Sequence, residues 1–179
     1  MKRVLFIIGS LRKDSYNRQL ALIAEKKLEG KAEVKELDFK ALPFFNQDEE
    51  YPASPIVEEI RKEVKEADLL VFSTPEYNHS IPGQVKNLVD TLSRPVVPGD
   101  TASAVIKGKK AVLLGASGRS AAQYSRETLK DLLTFVGAEV FPTEFGHALV
   151  KDEWISGKLV LSEEEDKTLA ALLNAALEF

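Results

Sequence analysis

The chain opens on a continuous apolar run, Val4-Leu5-Phe6-Ile7-Ile8, closed by Gly9. Branched side chains without polar alternation predict a strand buried on both faces of a parallel sheet. Beyond it Tyr16, Leu20, Ile23, Ala24 and Leu28 recur at helical spacing, with Ser15 or Asp14 placed to cap the first turn and Gly30 to end the last. Val34 and Leu37 mark a second strand. The turn-rich segment 43–55 leads into a helix that Ser54 caps, with Pro55 in its first position and Ile56, Ile60 and Val64 inside. A third strand over 69–72 is followed by a loop over 73–83 and a helix whose apolar positions are Val85, Leu88, Val89 and Leu92. A fourth strand over 111–114 passes through a small-residue loop, 115–120, into a helix marked by Leu129, Leu132, Leu133 and Val136 and closed by Gly137. A fifth strand is expected over 138–141. Ser162 with Glu165 makes a capping box for a last helix through Leu169, Leu172, Leu173 and Ala176.

Strands alternating with helices at this length imply a parallel sheet with right-handed crossovers, an α/β architecture with helices on both faces. Five such strands point to the doubly wound order 2-1-3-4-5 of flavodoxin-like folds. With 179 residues and no internal repeat, linker or low-complexity tract, residues 1–179 read as one domain. The most irregular stretch is 95–108, where Pro98-Gly99-Asp100 predicts an exposed turn.

Charge and composition narrow the function classes. The 24 basic and 28 acidic residues leave a formal charge of −4, with no basic excess for a nucleic-acid backbone or an anionic membrane. The absence of cysteine removes disulfides, thiolate metal sites and thiol nucleophiles, and suits a reducing cytoplasm. Redox chemistry would have to come from a bound cofactor. Met1-Lys2-Arg3 and the short apolar run after it lack the core and cleavage site of a signal peptide, and no apolar run approaches the roughly 20 residues needed to span a bilayer. A soluble, cytoplasmic protein without membrane insertion is expected.

In an open parallel sheet ligands bind beyond the carboxyl ends of the strands, so the loops 9–17, 74–83 and 115–120 are the candidates. The first, Gly9-Ser10-Leu11-Arg12-Lys13-Asp14-Ser15-Tyr16-Asn17, combines hydroxyls, an arginine and the amino end of a helix. Free N–H groups, the helix dipole and a guanidinium fork together suit a phosphate; the plainer reading is a capped helix beside a solvated arginine. Neither the P-loop nor the Gly-x-Gly-x-x-Gly pattern is present, and Ser10 and Thr74-Pro75 stand where a receiver domain would need carboxylates. The second loop, Thr74-Pro75-Glu76-Tyr77-Asn78-His79-Ser80-Ile81-Pro82-Gly83, is bounded by prolines and carries an aromatic and several amides. Such a rigid loop suits a flat heteroaromatic ring, or a stiff connection with Tyr77 packed on a neighbour.

Gly9-Ser10-Leu11-Arg12 with Ser15, Asn17 and Leu20, then Pro75-Glu76-Tyr77-Asn78 with Ser80, Pro82-Gly83, Lys86-Asn87, Asp90 and Ser93-Arg94, resemble the NAD(P)H-dependent FMN reductase family, which includes quinone, azo-dye and chromate reductases. The resemblance runs over roughly 2–140. It implies FMN as the bound cofactor, NADPH or NADH as electron donor, a small-molecule acceptor, and a homodimer or homotetramer with FMN near the interface. Carried over, Ser10, Arg12, Ser15, Tyr16 and Asn17 surround the FMN phosphate. Pro75, Glu76, Tyr77, Asn78, His79 and Ser80 line the isoalloxazine ring, and Ser117 and Gly118 lie beside the ring or ribityl chain. Arg119 and Ser120 depart from the family's glycine-rich third loop.

Hydride transfer from nicotinamide to flavin requires stacked rings with reacting atoms about 3–3.5 Å apart, a positioning task. No catalytic acid or base is therefore expected, and donor and acceptor would use the same open face in a ping-pong cycle. Glu76 is read as a brace for its own loop or a subunit contact. His79 and His147 lie in separate segments without neighbours at ligand spacing, so no metal site is expected. Trp154 and the pair Phe44-Phe45 are read as packing or interface residues. The main alternative is a flavodoxin-type one-electron carrier, disfavoured by the modest charge and by Arg12; a non-redox module that lost its flavin is the third reading.

Overall fold

The computed structural model describes all 179 residues, Met1–Phe179. Six parallel strands, β1 (Lys2–Ile8), β2 (Ala32–Glu36), β3 (Leu69–Thr74), β4 (Lys110–Ser117), β5 (Glu139–Val140) and β6 (Phe145–Ala148), form one sheet in the order β2-β1-β3-β4-β5. The expected doubly wound order is present, with one difference at the edge. The fifth position is shared: β4 pairs first with β5 at Lys110↔Glu139 and then with β6 at Leu114↔Phe145. The chain bends out over 141–144, so the expected strand over 138–141 is cut to two ladder residues and a second short strand completes the edge.

Six helices, α1 (Tyr16–Leu28), α2 (Pro55–Glu66), α3 (Gly83–Leu92), α4 (Gln123–Phe135), α5 (Lys151–Ser156) and α6 (Glu163–Glu178), flank the sheet. Alternation along the central strands assigns side chains to two cores. Val4, Phe6, Ile8, Val71 and Leu114 face α1 and α6, while Leu5, Ile7, Phe72 and Leu113 face α2, α3 and α4. Both faces are covered by helices, which is why these strands read as unbroken apolar runs.

Most caps follow the sequence. Ser15 Oγ accepts the Arg18 N–H at 3.0 Å, and Ser162 and Glu165 exchange both bonds of their capping box. Ser54 holds the N-cap position of α2 with Pro55 after it, but its hydroxyl is buried without a partner. Gly99 takes φ +83° at the tip of the 95–108 segment, whose Ala104 and Ile106 are nonetheless buried. No helix is long and apolar enough to cross a membrane.

Ile8 pairs with Ser73 and Thr74 with Gly115, which brings the loops after β1, β3 and β4 side by side at one edge. That approach needs glycine at position 115: a Cβ there would stand 2.7 Å from the Ala122 Cβ and 3.0 Å from the Thr74 carbonyl oxygen.

Candidate active site

At this edge lies an open cavity of about 530 Å³, within the usual range for small-molecule sites. Ser10, Arg12, Ser15, Tyr16, Asn17, Pro75, Glu76, Tyr77, Ser117 and Gly118 all line it. Asn78, His79 and Ser80 belong to the same loop but do not reach the cavity wall.

The turn before α1 holds its donors unspent. Ser15 N–H reaches the Arg12 carbonyl at 3.3 Å and Arg12 N–H reaches Ser10 Oγ at 3.4 Å. The amides of Leu11, Lys13, Asp14, Tyr16 and Asn17 find no acceptor within the protein. Several orphan N–H groups at the positive end of a helix, beside an exposed arginine, form a cradle for an anion. Tyr16 and Asn17 contribute to it through their backbones. The Asn17 side chain is committed elsewhere, donating to the Ala116 carbonyl at 2.8 Å and accepting the Ala116 N–H at 2.9 Å, while the Tyr16 hydroxyl donates to the Glu153 carbonyl at 2.9 Å. Asn17 thus ties α1 to β4, and its carbonyl accepts Ser73 Oγ from β3 at 2.9 Å.

Loop 75–82 is stiffened from within. Tyr77 and Ser80 exchange backbone hydrogen bonds at 3.0 and 3.1 Å around Asn78 (φ 52°) and His79 (φ 60°), two consecutive left-handed residues as in the tightest hairpins. The turn leaves the Asn78 and His79 amides without acceptors. The His79 ring stacks on Tyr124, centroids 4.3 Å apart, and so faces α4. Glu76 braces the neighbouring loop: Oε1 accepts the Ser120 hydroxyl at 2.9 Å and Oε2 the Tyr124 N–H at 3.0 Å. Both of its oxygens are engaged within the protein.

β4 extends through Ser117, so the expected loop over 115–120 is confined to 118–122, where Ala121 and Ala122 take positive φ. Ser117 and Gly118 face the cavity, and Arg119 is exposed. The fourth wall, Leu149 with Trp154, Ile155, Ser156 and Gly157, comes from the segment around α5, which the periodicity did not disclose. Trp154, read from the sequence as packing or interface, meets the Tyr16 ring edge-on with centroids 5.4 Å apart, and the Arg12 guanidinium lies 5.5 Å from the centroid of that ring.

The profile of the NADPH-dependent FMN reductase family matches residues 2–150. The chain belongs to that family. Among this reductase's relatives, NAD(P)H:quinone oxidoreductase of Solanum tuberosum is 34% identical over 98% of the chain and 91% of its own length. The NADH-dependent flavin reductase subunit 2 of Lactobacillus johnsonii is 33% identical over 99% and 96%. The solved structure of the flavoenzyme NAD(P)H:(acceptor) oxidoreductase from Paracoccus denitrificans superposes with a TM-score of 0.87 at 30% identity, covering 99% of the chain and 96% of that protein. The family is one of enzymes, so the electron-carrier and flavin-free alternatives yield to the reductase.

Proposed function

We propose that this chain binds FMN and uses it to carry two electrons from NADPH or NADH to a small acceptor, a quinone, an azo compound, a free flavin or a metal oxyanion, with donor and acceptor taking the same site in turn. The observation that carries this reading is the set of unspent amides between Leu11 and Asn17 beside Arg12, at one end of a cavity bordered by the rigid 75–82 loop. An anion such as the FMN phosphate fits that donor set, and a planar ring fits the walls built by Pro75, Tyr77, Ser117 and Gly118. FMN, when bound, supplies the chemistry by accepting a hydride and passing on the electron pair.

The protein's share is positional. Ser10, Arg12 and the cap amides hold the phosphate end, and Pro75 and Tyr77, on the loop stiffened by the Tyr77–Ser80 turn, border the ring end. Glu76 holds the second and third loops together and moves no proton. We assign the active form to a homodimer or homotetramer, since Phe44 and Phe135 are more than four-fifths exposed on the face that also carries Tyr51 and Arg94, a surface suited to burial against another copy; its compartment we take to be the cytoplasm, which a cysteine-free chain suits.

Anaerobic mixing of FMN-loaded protein with NADH or NADPH tests the reading. Rapid bleaching of the flavin absorbance, reversed by added quinone, is expected, and bound FMN that stays oxidised with both donors would refute it.

A further inference from the structure

The wall formed by α5 lies beyond the residues matched by the family profile, and it is fixed by an unusual amount of buried polar bonding. Glu153 is only 3% exposed, as is His147 on β6. Glu153 Oε1 stands 2.9 Å from His147 Nε2 and accepts the Val160 N–H at 2.7 Å; Oε2 accepts the Val150 N–H at 2.8 Å. The other nitrogen of His147, Nδ1, lies 2.8 Å from Glu165 Oε1 at the start of α6. One carboxylate therefore closes both ends of the α5 segment on itself and fastens it to the sheet through His147.

From the other side, α1 grips the same segment. The Tyr16 hydroxyl donates to the Glu153 carbonyl, Gln19 Nε2 donates to the Gly157 carbonyl at 2.9 Å, and Gln19 Oε1 accepts the Leu159 N–H at 2.9 Å. The residue after Glu153 is Trp154, which meets Tyr16 edge-on; Tyr16 in turn lies between it and Arg12 at the anion cradle. Trp154 is exposed on a cavity wall whose backbone is already fixed by these bonds, so its ring is presented to a ligand at a reduced ordering cost.

We propose that Trp154 is a contact for the bound flavin nucleotide beside the phosphate cradle, and that Glu153, clamped by His147, is the positioning residue that sets it there. This rests on the FMN reading given above. Glu153 touches no ligand; it acts through Trp154.

The chain has a single tryptophan, so Trp154 reports on its own placement. FMN affinity is measured by titration of FMN-free protein, and tryptophan anisotropy is measured before FMN is added. Trp154→Ala should weaken FMN binding roughly tenfold, as for one lost aromatic contact, with little change in melting temperature. Glu153→Ala should weaken it by a similar factor and lower the tryptophan anisotropy, and Glu153→Gln, which keeps an acceptor for the amides, should fall between wild type and Glu153→Ala. The double variant should bind no more weakly than either single variant, because Glu153 acts through Trp154. Unchanged affinity in Trp154→Ala, or additive losses in the double variant, would overturn the proposal. If Glu153→Ala does not fold, the Trp154→Ala and Glu153→Gln titrations decide it. Failure of the wild-type protein to bind FMN would instead remove the functional reading beneath it.

Discussion

Glu76 reaches from the loop after β3 to accept the Tyr124 N–H, 3.0 Å away, in the first turn of α4. The N-cap residue of that helix, Ala122, has no side chain able to cap and takes φ 59°. A distant carboxylate therefore performs the capping, and with the Thr74–Ser125 hydroxyl pair, 3.0 Å apart, it holds the second and third loops in one relation. Replacing Glu76 by Ala should cost about 1 kcal/mol, the usual value of a lost cap, and lower the melting temperature by roughly 2–4 °C. The pH profile of hydride transfer should be unchanged, because the carboxylate is not the source of a proton. A profile that loses one limb in Glu76→Gln would show that Glu76 titrates in catalysis.

Gly115 separates β4 from Ala122 and from the end of β3 by less than a methyl group needs. The Thr74 carbonyl cannot yield without disturbing the β3–β4 ladder, so Gly115→Ala should force the strand ends apart. A loss of about 1–3 kcal/mol is expected, as for other overpacked sites, accompanied by weaker FMN binding. Gly118 has open space where a Cβ would go, so Gly118→Ala should leave stability within about 0.5 kcal/mol of wild type. Denaturant unfolding of the two variants compares them directly.

Much of this arrangement is legible in the sequence because it is local. The strand 4–8, the Ser15 cap and the Ser162–Glu165 box each depend on a few adjacent residues, and the set of unspent amides beside Arg12 is a property of one turn and the helix after it. The part that sequence reasoning missed is held by distant partners. The four residues of β6, Phe145-Gly146-His147-Ala148, show no decisive period, and α5 is too short for one. Their placement comes from β4, α1 and α6, and Trp154 is drawn to the cavity by Tyr16 and Gln19 of α1. Glu153 ahead of Gly157 is the one local cue to this turn, and Val150 at the N-cap has no side-chain acceptor, so the box is only half made. Asn17 shows the opposite case: it lines the cavity, while its side chain is consumed by β4.

The carboxylates around His147 predict an acid limb of stability. Burial pushes the Glu153 carboxyl upward, but the Val160 and Val150 amides and His147 outweigh it and hold the group below its ordinary value. Glu165 is likewise raised by burial and lowered overall by the Ser162 amide and His147. A carboxyl whose folded pKa is depressed stabilises the fold at pH above its unfolded value, near 4.3 for glutamate, and loses that contribution as pH falls through the folded value. The melting temperature should therefore hold level with respect to these groups above about pH 5 and decline below about pH 4. Glu153→Gln should show a shallower decline on the same scan, and an identical slope would mean that Glu153 does not contribute to the acid limb.

Arg12 offers the most direct test of how the cavity reads its ligand. Its guanidinium is exposed and lies 5.5 Å from the centroid of the Tyr16 ring, so it can act on a phosphate or merely cover the tyrosine. A hydrogen bond to a charged group is worth roughly 1.5–3 kcal/mol, and its loss in Arg12→Ala should weaken FMN binding by about 10- to 150-fold without altering the fold. Arg12→Lys keeps the charge but not the planar fork, and should recover only part of that affinity. Riboflavin, which has the ring and ribityl chain but no phosphate, separates the two roles. Its affinity should be the same in wild type and Arg12→Ala if the guanidinium acts on the phosphate. Equal weakening of FMN and riboflavin would place the effect on the Tyr16 wall instead.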